Sequence, residues 1–170
     1  MLNRVQIKKI IDEKKLIENA VDIDTQLTPN GFDLTAGGIF EFISSACLDF
    51  SNKERVLSQT KELIPIKKNA EDKHGWWRLA KGVYKIKTNE TINMPNDLTA
   101  LAFSRTSLLR MGAFTQNGVW DAGFCGKSEF ALVVENPFGI ELKQNARVVQ
   151  LVFFSVSETE GYNGIYKHLK

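Results

Sequence analysis

Apolar residues recur at helical spacing in only one part of the chain, close to its N-terminus. The residues in this pattern are Val5, Ile7, Ile10 and Ile11. Asn3 stands just before them, and asparagine often caps a helix because its side chain accepts a bond from a free backbone N–H. The pattern therefore predicts a helix over residues 4–14.

After this segment, short apolar runs alternate with turn residues such as glycine, proline and asparagine. The runs are rich in β-branched and aromatic residues and cover 38–43, 62–66, 77–86, 98–104, 130–135 and 147–156. Short strands with turns at this spacing are typical of an all-β sandwich or barrel. We therefore expect an all-β fold with a short N-terminal helix, in one domain over 1–170. Residues 51–76 carry many charges and are expected to form a hairpin or loop on the surface.

Composition narrows the possible partners. The formal net charge of +2 is too small to indicate nucleic-acid binding, and the chain has no apolar run of 18 residues that would span a membrane. The N-terminus does not resemble a signal peptide. Cys47 and Cys125 lie far apart and the chain has only two histidines, so we expect reduced thiols, a cytoplasmic location and no zinc site. A small anionic ligand is compatible with this composition.

A first candidate stretch, Ser-Arg-Thr-Ser-Leu-Leu-Arg at 104–110, follows a predicted strand. Arginine binds phosphate oxygens through two parallel bonds, and hydroxyls and backbone amides at a helix start also bind anions. The stretch therefore predicts a phosphate-binding loop. The alternative is a short helix capped by Ser104, with two arginines exposed on the surface.

A second stretch, Gly-Val-Trp-Asp-Ala-Gly-Phe-Cys-Gly at 118–126, places three glycines around Asp121 and Phe124. Glycine permits a tight backbone or the close approach of a ligand. Asp121 could orient and deprotonate a water molecule, and Phe124 could offer its ring to a sugar or base. The alternative is a β-turn in which Asp121 is only a turn former.

A third feature is Gln150, a polar residue inside the apolar run 147–156. An unpaired buried amide costs about 1–3 kcal/mol. Gln150 is therefore expected to have a partner, either another part of the protein or a ligand.

In this order, these stretches resemble the motifs of the trimeric dUTPase and dCTP-deaminase superfamily, with its archaeal-type members as the nearest match. The similar segments are Gly31–Leu34 for the first motif, Ser104–Leu108 for the second, Gly118–Gly126 for the third and Arg147–Leu151 for the fourth. Near the C-terminus, Tyr162–Tyr166 looks like the Tyr-x-Gly-x-Tyr closing segment of deaminase-like and archaeal-type members. The match covers about 28–170.

This resemblance implies a distorted jelly-roll barrel that forms a homotrimer with active sites between subunits. About 1–20 would be a helix and lead-in, and about 158–170 would close over an active site. The implied reaction is hydrolysis of dUTP to dUMP and pyrophosphate. The triphosphate would arrive as a Mg²⁺ complex, with the metal held mainly by phosphate oxygens and water rather than by protein ligands.

The resemblance also implies residue roles in catalysis and phosphate binding. Asp121 matches the aspartate that activates the attacking water, and Gln150 matches the phosphate-binding glutamine. Arg105, Thr106 and Ser107 match the phosphate loop, with Thr106 where serine is usual.

The nucleoside contacts follow in the same way. Phe124 lies where an aromatic ring packs on the deoxyribose, and Asn117 and Gly118 lie where backbone groups read the uracil edge. Tyr162 and Tyr166 would close over the nucleotide. The glycine-rich fifth motif of common dUTPases is absent, so the γ-phosphate contacts are left to Lys167, His168 or Arg110 without a ranking.

Two other functions stay open. A dCTP deaminase or bifunctional enzyme needs a glutamate on the strand after the third motif, and its position falls on Ala131 or Val133. Glu129 is expected to face the same side of this strand as positions 131 and 133. A bulge could move it into place, because the segment 126–136 is about two residues longer than in relatives. The other alternative is a non-catalytic nucleotide-binding regulator on the same fold.

Overall fold

The computed structural model describes residues 1–168, and the chain begins with helix α1 (Arg4–Lys14). The helix has the predicted cap: Gln6 N–H donates to the Asn3 side chain, and Asn3 N–H donates to the Gln6 side chain. This reciprocal pair satisfies two backbone donors that a helix start leaves free. Ile7 and Ile11 are buried and hold the helix against the rest of the fold. The predicted helix over 4–14 is confirmed.

Most of the remaining chain is β-structure. Two short helices occur within it, α2 (Ile23–Gln26) and α3 (Thr106–Arg110). The strands found within residues 1–168 are β1 (Ile17–Glu18), β2 (Leu27–Thr28), β3 (Gly31–Phe42), β4 (Thr60–Glu62), β5 (Trp76–Leu79), β6 (Gly82–Asn93), β7 (Leu98–Ser104), β8 (Ala113–Gln116), β9 (Cys125–Val134), β10 (Ile140–Lys143) and β11 (Arg147–Ser155).

The strands form a large antiparallel sheet in the order β7-β11-β3-β6-β9-β8, with β1 added to β6 and both β2 and β4 added to β3. The two ends of this sheet approach each other. The Thr115 N–H on β8 donates to Ser104 Oγ on β7 (2.8 Å), and Ala100 on β7 forms a backbone bridge with Trp120. The sheet is thus nearly closed into a barrel, which confirms the all-β class with an N-terminal helix. Strands β5 and β10 form a separate small sheet.

The core lies inside this barrel. Along β6, inward and outward positions alternate, which is the period-two pattern of a strand with one buried face. Phe32, Ile39, Leu132 and Phe153 are fully buried, and each buried side chain of this size contributes about 1.5–3 kcal/mol. None of the predicted site residues belongs to this core; Thr106, Ser107 and Arg110 lie in α3, and Gln150 lies within β11.

Several predicted strand limits were wrong. The strand predicted over 38–43 is β3, which begins at Gly31, so the first motif lies within it. The predicted strand 77–86 is two strands, because β5 pairs with β10 whereas β6 pairs with β3 and β9. The strand predicted over 62–66 is found at Thr60–Glu62 instead. The strand predicted over 130–135 is β9, which starts earlier, at Cys125. Positions 169 and 170 of the predicted closing segment lie outside the described residues.

The charged region after β3 forms a surface hairpin, which we call the arm (43–59). Ile43 N–H donates to the Gln59 carbonyl, and Cys47 and Val56 exchange two backbone bonds of 3.0 Å. Beyond the arm, Trp77 is buried and its indole N–H donates to the Leu63 carbonyl (2.8 Å). Among the helices in residues 1–168, none combines the length and the apolar character that a membrane crossing needs.

Candidate active site

A cavity of about 570 Å³ opens at one end of β9. Its walls come from the arm, from β9, from the loop 117–124 and from the C-terminal segment 156–168. We call the loop 117–124 the Asp121 loop and the segment 156–168 the tail. The predicted site residues that line it are Gly118, Asp121, Phe124, Tyr162 and Tyr166. The structure thus brings all the predicted nucleoside contacts except Asn117 to one place with the predicted catalytic carboxylate.

The Asp121 loop is anchored by the residue before the carboxylate. Trp120 is buried, and its indole N–H donates to Ser128 Oγ on β9 (2.7 Å). A turn follows, in which Phe124 N–H donates to the Asp121 carbonyl (3.1 Å) and Gly123 has φ +75°, a conformation that favours glycine. Asp121 itself is exposed at the cavity, where its carboxylate is available to a water molecule.

The start of the same loop is suited to close ligand approach. An added β-carbon on Gly118 would meet no atom of residues 1–168 within 4 Å. Next to it, the buried Oδ1 of Asn117 has no hydrogen-bond partner within the described part of the chain, while its Nδ2 donates to Thr115 Oγ1 (3.2 Å). A buried acceptor without a partner costs about 1–3 kcal/mol, so a donor from a ligand would be stabilising here.

The predicted phosphate loop lies at the end of β7 and the start of α3. Arg105, with extended backbone, is the N-terminal flanking residue of α3, so the alternative that Ser104 caps this helix was wrong. Ser104 Oγ bonds Thr115 instead. Leu108 is buried and anchors the turn, which leaves Thr106 and Ser107 exposed at the start of the helix. Arg110 is exposed at its end.

A buried carboxylate orients the arginine of this loop. Asp33, on β3, has a side chain only 2% exposed, and its Oδ2 lies 2.9 Å from Arg105 Nη1 and 3.2 Å from Arg147 Nη1. Burial raises the pKa of Asp33, while the two guanidinium groups act in the opposite direction. Asp33 belongs to the predicted first motif, but its pairing with the two arginines was not predicted, because these partners are far apart in the chain.

A second buried carboxylate supports the same region. Glu90 is fully buried and accepts bonds from Gln26 Nε2 (2.7 Å), Thr35 Oγ1 (2.6 Å) and Thr35 N–H (3.0 Å). Gln26 also donates to the backbone carbonyl of Asp33 (2.8 Å), which links the Glu90 carboxylate to the strand that carries Asp33. Burial raises the pKa of Glu90, although these hydrogen bonds lower it. Its inward position in the alternation of β6 was the sequence signal that could have revealed it.

Gln150 has a partner inside the protein. Its Nε2 donates to Thr28 Oγ1, and its position on β11 is opposite Asp33 on β3. The side chain is partly exposed. The amide therefore lies near the Asp33–Arg105 pair, on the phosphate-loop side of the barrel.

The predicted site residues thus fall into two groups. Those outside the cavity lining are Arg105, Thr106, Ser107, Arg110, Asn117 and Gln150. The basic residues that do line the cavity, Lys85 and Lys127, were not predicted. A single chain does not bring the predicted phosphate groups to the cavity that holds Asp121.

Glu129 also lines the cavity. Its two carboxylate oxygens are each 3.1 Å from Lys85 Nζ. The irregularity in this pair of strands lies between Lys87 and Thr91 on β6, opposite Glu129 and Lys127. The extra residues are therefore on β6, and the proposed bulge on the strand of Glu129 was wrong.

The acidic, histidine and cysteine side chains decide whether the protein itself could hold a metal. No group of three or more His, Cys, Asp or Glu side chains that could hold an ion is found in the part of the chain described, 1–168. The acidic residues near the phosphate loop are already bonded, Asp33 by two arginines and Glu90 by Gln26 and Thr35. This donor set fits a metal that arrives on a ligand's own oxygens.

Fold and motifs together define a class: the chain has the barrel of the dUTPases and dCTP deaminases. A solved 2′-deoxycytidine 5′-triphosphate deaminase from Agrobacterium tumefaciens superposes with a TM-score of 0.64 at 20% identity, covering 89% of this chain and 46% of that one. The family model described as dCTP deaminase-like matches residues 1–156. The chain belongs to this family, which confirms the predicted superfamily.

Curated relatives match over almost the whole chain. A protein from Archaeoglobus fulgidus is 40% identical over 168 residues, which is 98% of this chain and 95% of that protein. One from Methanosarcina mazei is 42% identical over 171 residues, covering 99% and 96%. Both are named probable deoxyuridine 5′-triphosphate nucleotidohydrolase.

Proposed function

We propose that the protein is a dUTP diphosphatase, which hydrolyses dUTP to dUMP and pyrophosphate. The observation that carries this proposal is the exposed Asp121 carboxylate, which shares one cavity with the open face of Gly118 and the ring of Phe124. The names of the relatives from Archaeoglobus fulgidus and Methanosarcina mazei support the same substrate.

In this mechanism Asp121 accepts a hydrogen bond and then a proton from the attacking water. The products require cleavage of the bond that joins the α- and β-phosphates. Arg105, with the hydroxyls of Thr106 and Ser107, binds the phosphates and offsets the charge that develops on them. Asp33 holds the Arg105 guanidinium in place beforehand, so the side chain loses less freedom when the phosphates bind.

The active site would be completed by a second subunit. The phosphate loop does not line the cavity of its own chain, so the phosphate loop of a neighbouring subunit would supply these groups. We propose the homotrimer of the superfamily, a closed ring in which every cavity meets one phosphate loop. Light scattering would then give three times the 19.2 kDa of the chain.

Mg²⁺ would enter bound to the triphosphate. When bound, it would neutralise part of the phosphate charge and hold the phosphates in one arrangement. Further phosphate contacts stay predictions for Arg110, Gln150, Lys167 and His168. The single domain over 1–170 and the cytoplasmic location also stay predictions.

The second candidate function is a dCTP deaminase or bifunctional enzyme, favoured by the presence of Glu129 in the cavity lining. Against it, both oxygens of Glu129 lie 3.1 Å from Lys85 Nζ, so the carboxylate is held against that lysine rather than directed at a base. A non-catalytic regulator would bind nucleotides without turnover.

The test is to incubate the protein with dUTP and, separately, with dCTP, each with Mg²⁺, and to resolve the products. We expect dUMP and pyrophosphate from dUTP, and unchanged dCTP. Asp121→Asn should lose about a hundredfold to ten-thousandfold in kcat while it keeps the thermal midpoint. Uracil nucleotides from dCTP would overturn the assignment in favour of deamination, and binding without any turnover would favour the regulator.

A further inference from the structure

The tail returns along its own subunit instead of leaving it. Its backbone N–H groups donate to carbonyl oxygens on two loops of the same chain. These bonds join Val156 to Asp97 (3.0 Å), Thr159 to Asn96 (3.3 Å), Tyr162 to Ala122 (2.7 Å) and His168 to Cys125 (2.5 Å). The tail is therefore attached to both sides of the turn that follows Asp121.

Two glycines let the tail approach this closely. Gly123, in the Asp121 loop, faces Gly161 in the tail. A β-carbon on Gly123 would lie 2.5 Å from Gly161 Cα and 3.0 Å from Tyr162 N, closer than atoms pack. We call the pair Gly123 and Gly161 the clasp. A larger side chain at Gly123 would push the tail away from the Asp121 loop, whereas one at Gly161 would first meet the side chain of Asn96.

The clasp places aromatic side chains on the cavity. The ring of Tyr162 packs edge-on against that of Phe124, with 5.8 Å between centroids and 60° between planes. Gly164 leaves room for the Tyr162 hydroxyl, since a β-carbon there would overlap it. Tyr162 and Tyr166 both line the cavity that contains Asp121 of the same chain.

We propose that each tail serves the cavity of its own subunit, and that Gly123 and Gly161 are positioning residues that hold it there. The proposal rests on the function proposed for the cavity. Each active site then takes its Asp121 loop and its tail from one subunit and only its phosphate loop from the neighbour. The tail acts through Tyr162 and Tyr166, which cover a bound nucleotide.

Subunit mixing tests which chain supplies the tail. Asp121→Asn subunits are unfolded and refolded together with subunits that carry Tyr162→Ala and Tyr166→Ala. If tail and Asp121 must come from one chain, no mixed site is complete and activity stays at the level of the separate variants. If a neighbour supplied the tail, random mixing in a ring would restore about a quarter of the wild-type activity, and that recovery would overturn the proposal.

A control pair shows that subunits exchange. Asp121→Asn mixed with Arg105→Ala should restore about a quarter of the activity, because the intact Asp121 and the intact Arg105 meet between subunits. When differently tagged chains show that the subunits have mixed, failure of this control would refute the shared site of the proposed function and not the clasp. The clasp is then decided by variants of a single chain.

Those variants use the space around Gly161. A β-carbon on Gly161 would lie 2.9 Å from Asn96 Oδ1, so Gly161→Ala should raise KM about tenfold and speed hydrogen exchange of the tail, with the thermal midpoint unchanged. Asn96→Ala alone should leave KM and the hydrogen exchange of the tail near wild type, because the Asn96 backbone carbonyl still accepts a bond from the Thr159 N–H. The double variant should recover KM to within about threefold, as expected for residues in contact.

The clasp would be overturned if hydrogen exchange in the tail were equally fast in wild type and Gly161→Ala. It would also be overturned if the double variant had a KM as high as that of Gly161→Ala. The exchange measurement needs no turnover. A protein that failed to hydrolyse dUTP would therefore refute the proposed function and leave the clasp to be judged by exchange.

Discussion

Gly118→Ala should have opposite effects on stability and on substrate binding. In the free protein the new methyl group meets nothing in residues 1–168 within 4 Å, and Gly118 is not among the glycines with positive φ. Alanine therefore fits the folded backbone. It restricts the unfolded chain, so the free energy of unfolding should rise by about 0.4–1 kcal/mol.

The complex with dUTP should respond differently, because the proposed site of the base is the open face of Gly118. A methyl group forced into a filled site costs about 1–3 kcal/mol, which corresponds to a rise in KM of about 5-fold to 150-fold. Asp121 and its turn are untouched, so kcat should change much less than KM.

The assay combines urea unfolding with steady-state hydrolysis of dUTP. Gly82→Ala is the matched control, since its nearest neighbour atoms are those of Tyr84 at 3.8 Å and it does not line the cavity. We expect a similar gain in stability from this control and no change in KM. If Gly118→Ala has a KM within about twofold of the control, the base does not lie against Gly118 and the reasoning fails.

Three further predictions concern other carboxylates and the metal. Glu129→Gln should keep dUTP hydrolysis within about twofold, because Glu129 is bonded to Lys85 in the proposed hydrolase; a loss of activity with unchanged folding would give it a catalytic role. Because burial raises the pKa of Glu90 above 4.5, its contribution to stability is fully present below that pH and is lost as the pH rises through the raised value. The stability of wild type relative to Glu90→Gln, from urea unfolding between about pH 4 and 8, should therefore fall with pH, and a flat or rising difference would contradict it. EDTA should abolish hydrolysis without shifting the thermal midpoint, whereas a lower midpoint would indicate a metal held by the protein itself.

Local features of the fold were readable from the sequence. The helix was predicted with its limits because Asn3, Ile7 and Ile11 lie within a few residues of each other and act through neighbouring turns. Strand β7 was predicted for a similar reason, since its run of apolar residues ends at a change in residue type. The order of the motifs also predicted the superfamily without any knowledge of their positions in space.

Pairing between strands was harder to predict from the sequence. The break between β5 and β6 is decided by their different partners, so the β-rich pattern over 77–86 did not reveal it. The irregularity opposite Glu129 was assigned to the wrong strand, because a difference in length does not say which of two paired strands carries the extra residues. The buried network joins Glu90 to Gln26 and Thr35, each more than fifty positions away in the chain.

The sequence by itself determined which chemical groups this protein has and which local elements carry them, because residue type and short-range periodicity act over a few neighbouring positions. Only the tertiary structure decided which groups share a space. Gly118, Asp121 and Tyr162 line one cavity because β9, the Asp121 loop and the tail converge there. Arg105 lies beside Asp33 instead, on another part of the barrel. Such proximity depends on contacts between distant segments, which no local pattern contains.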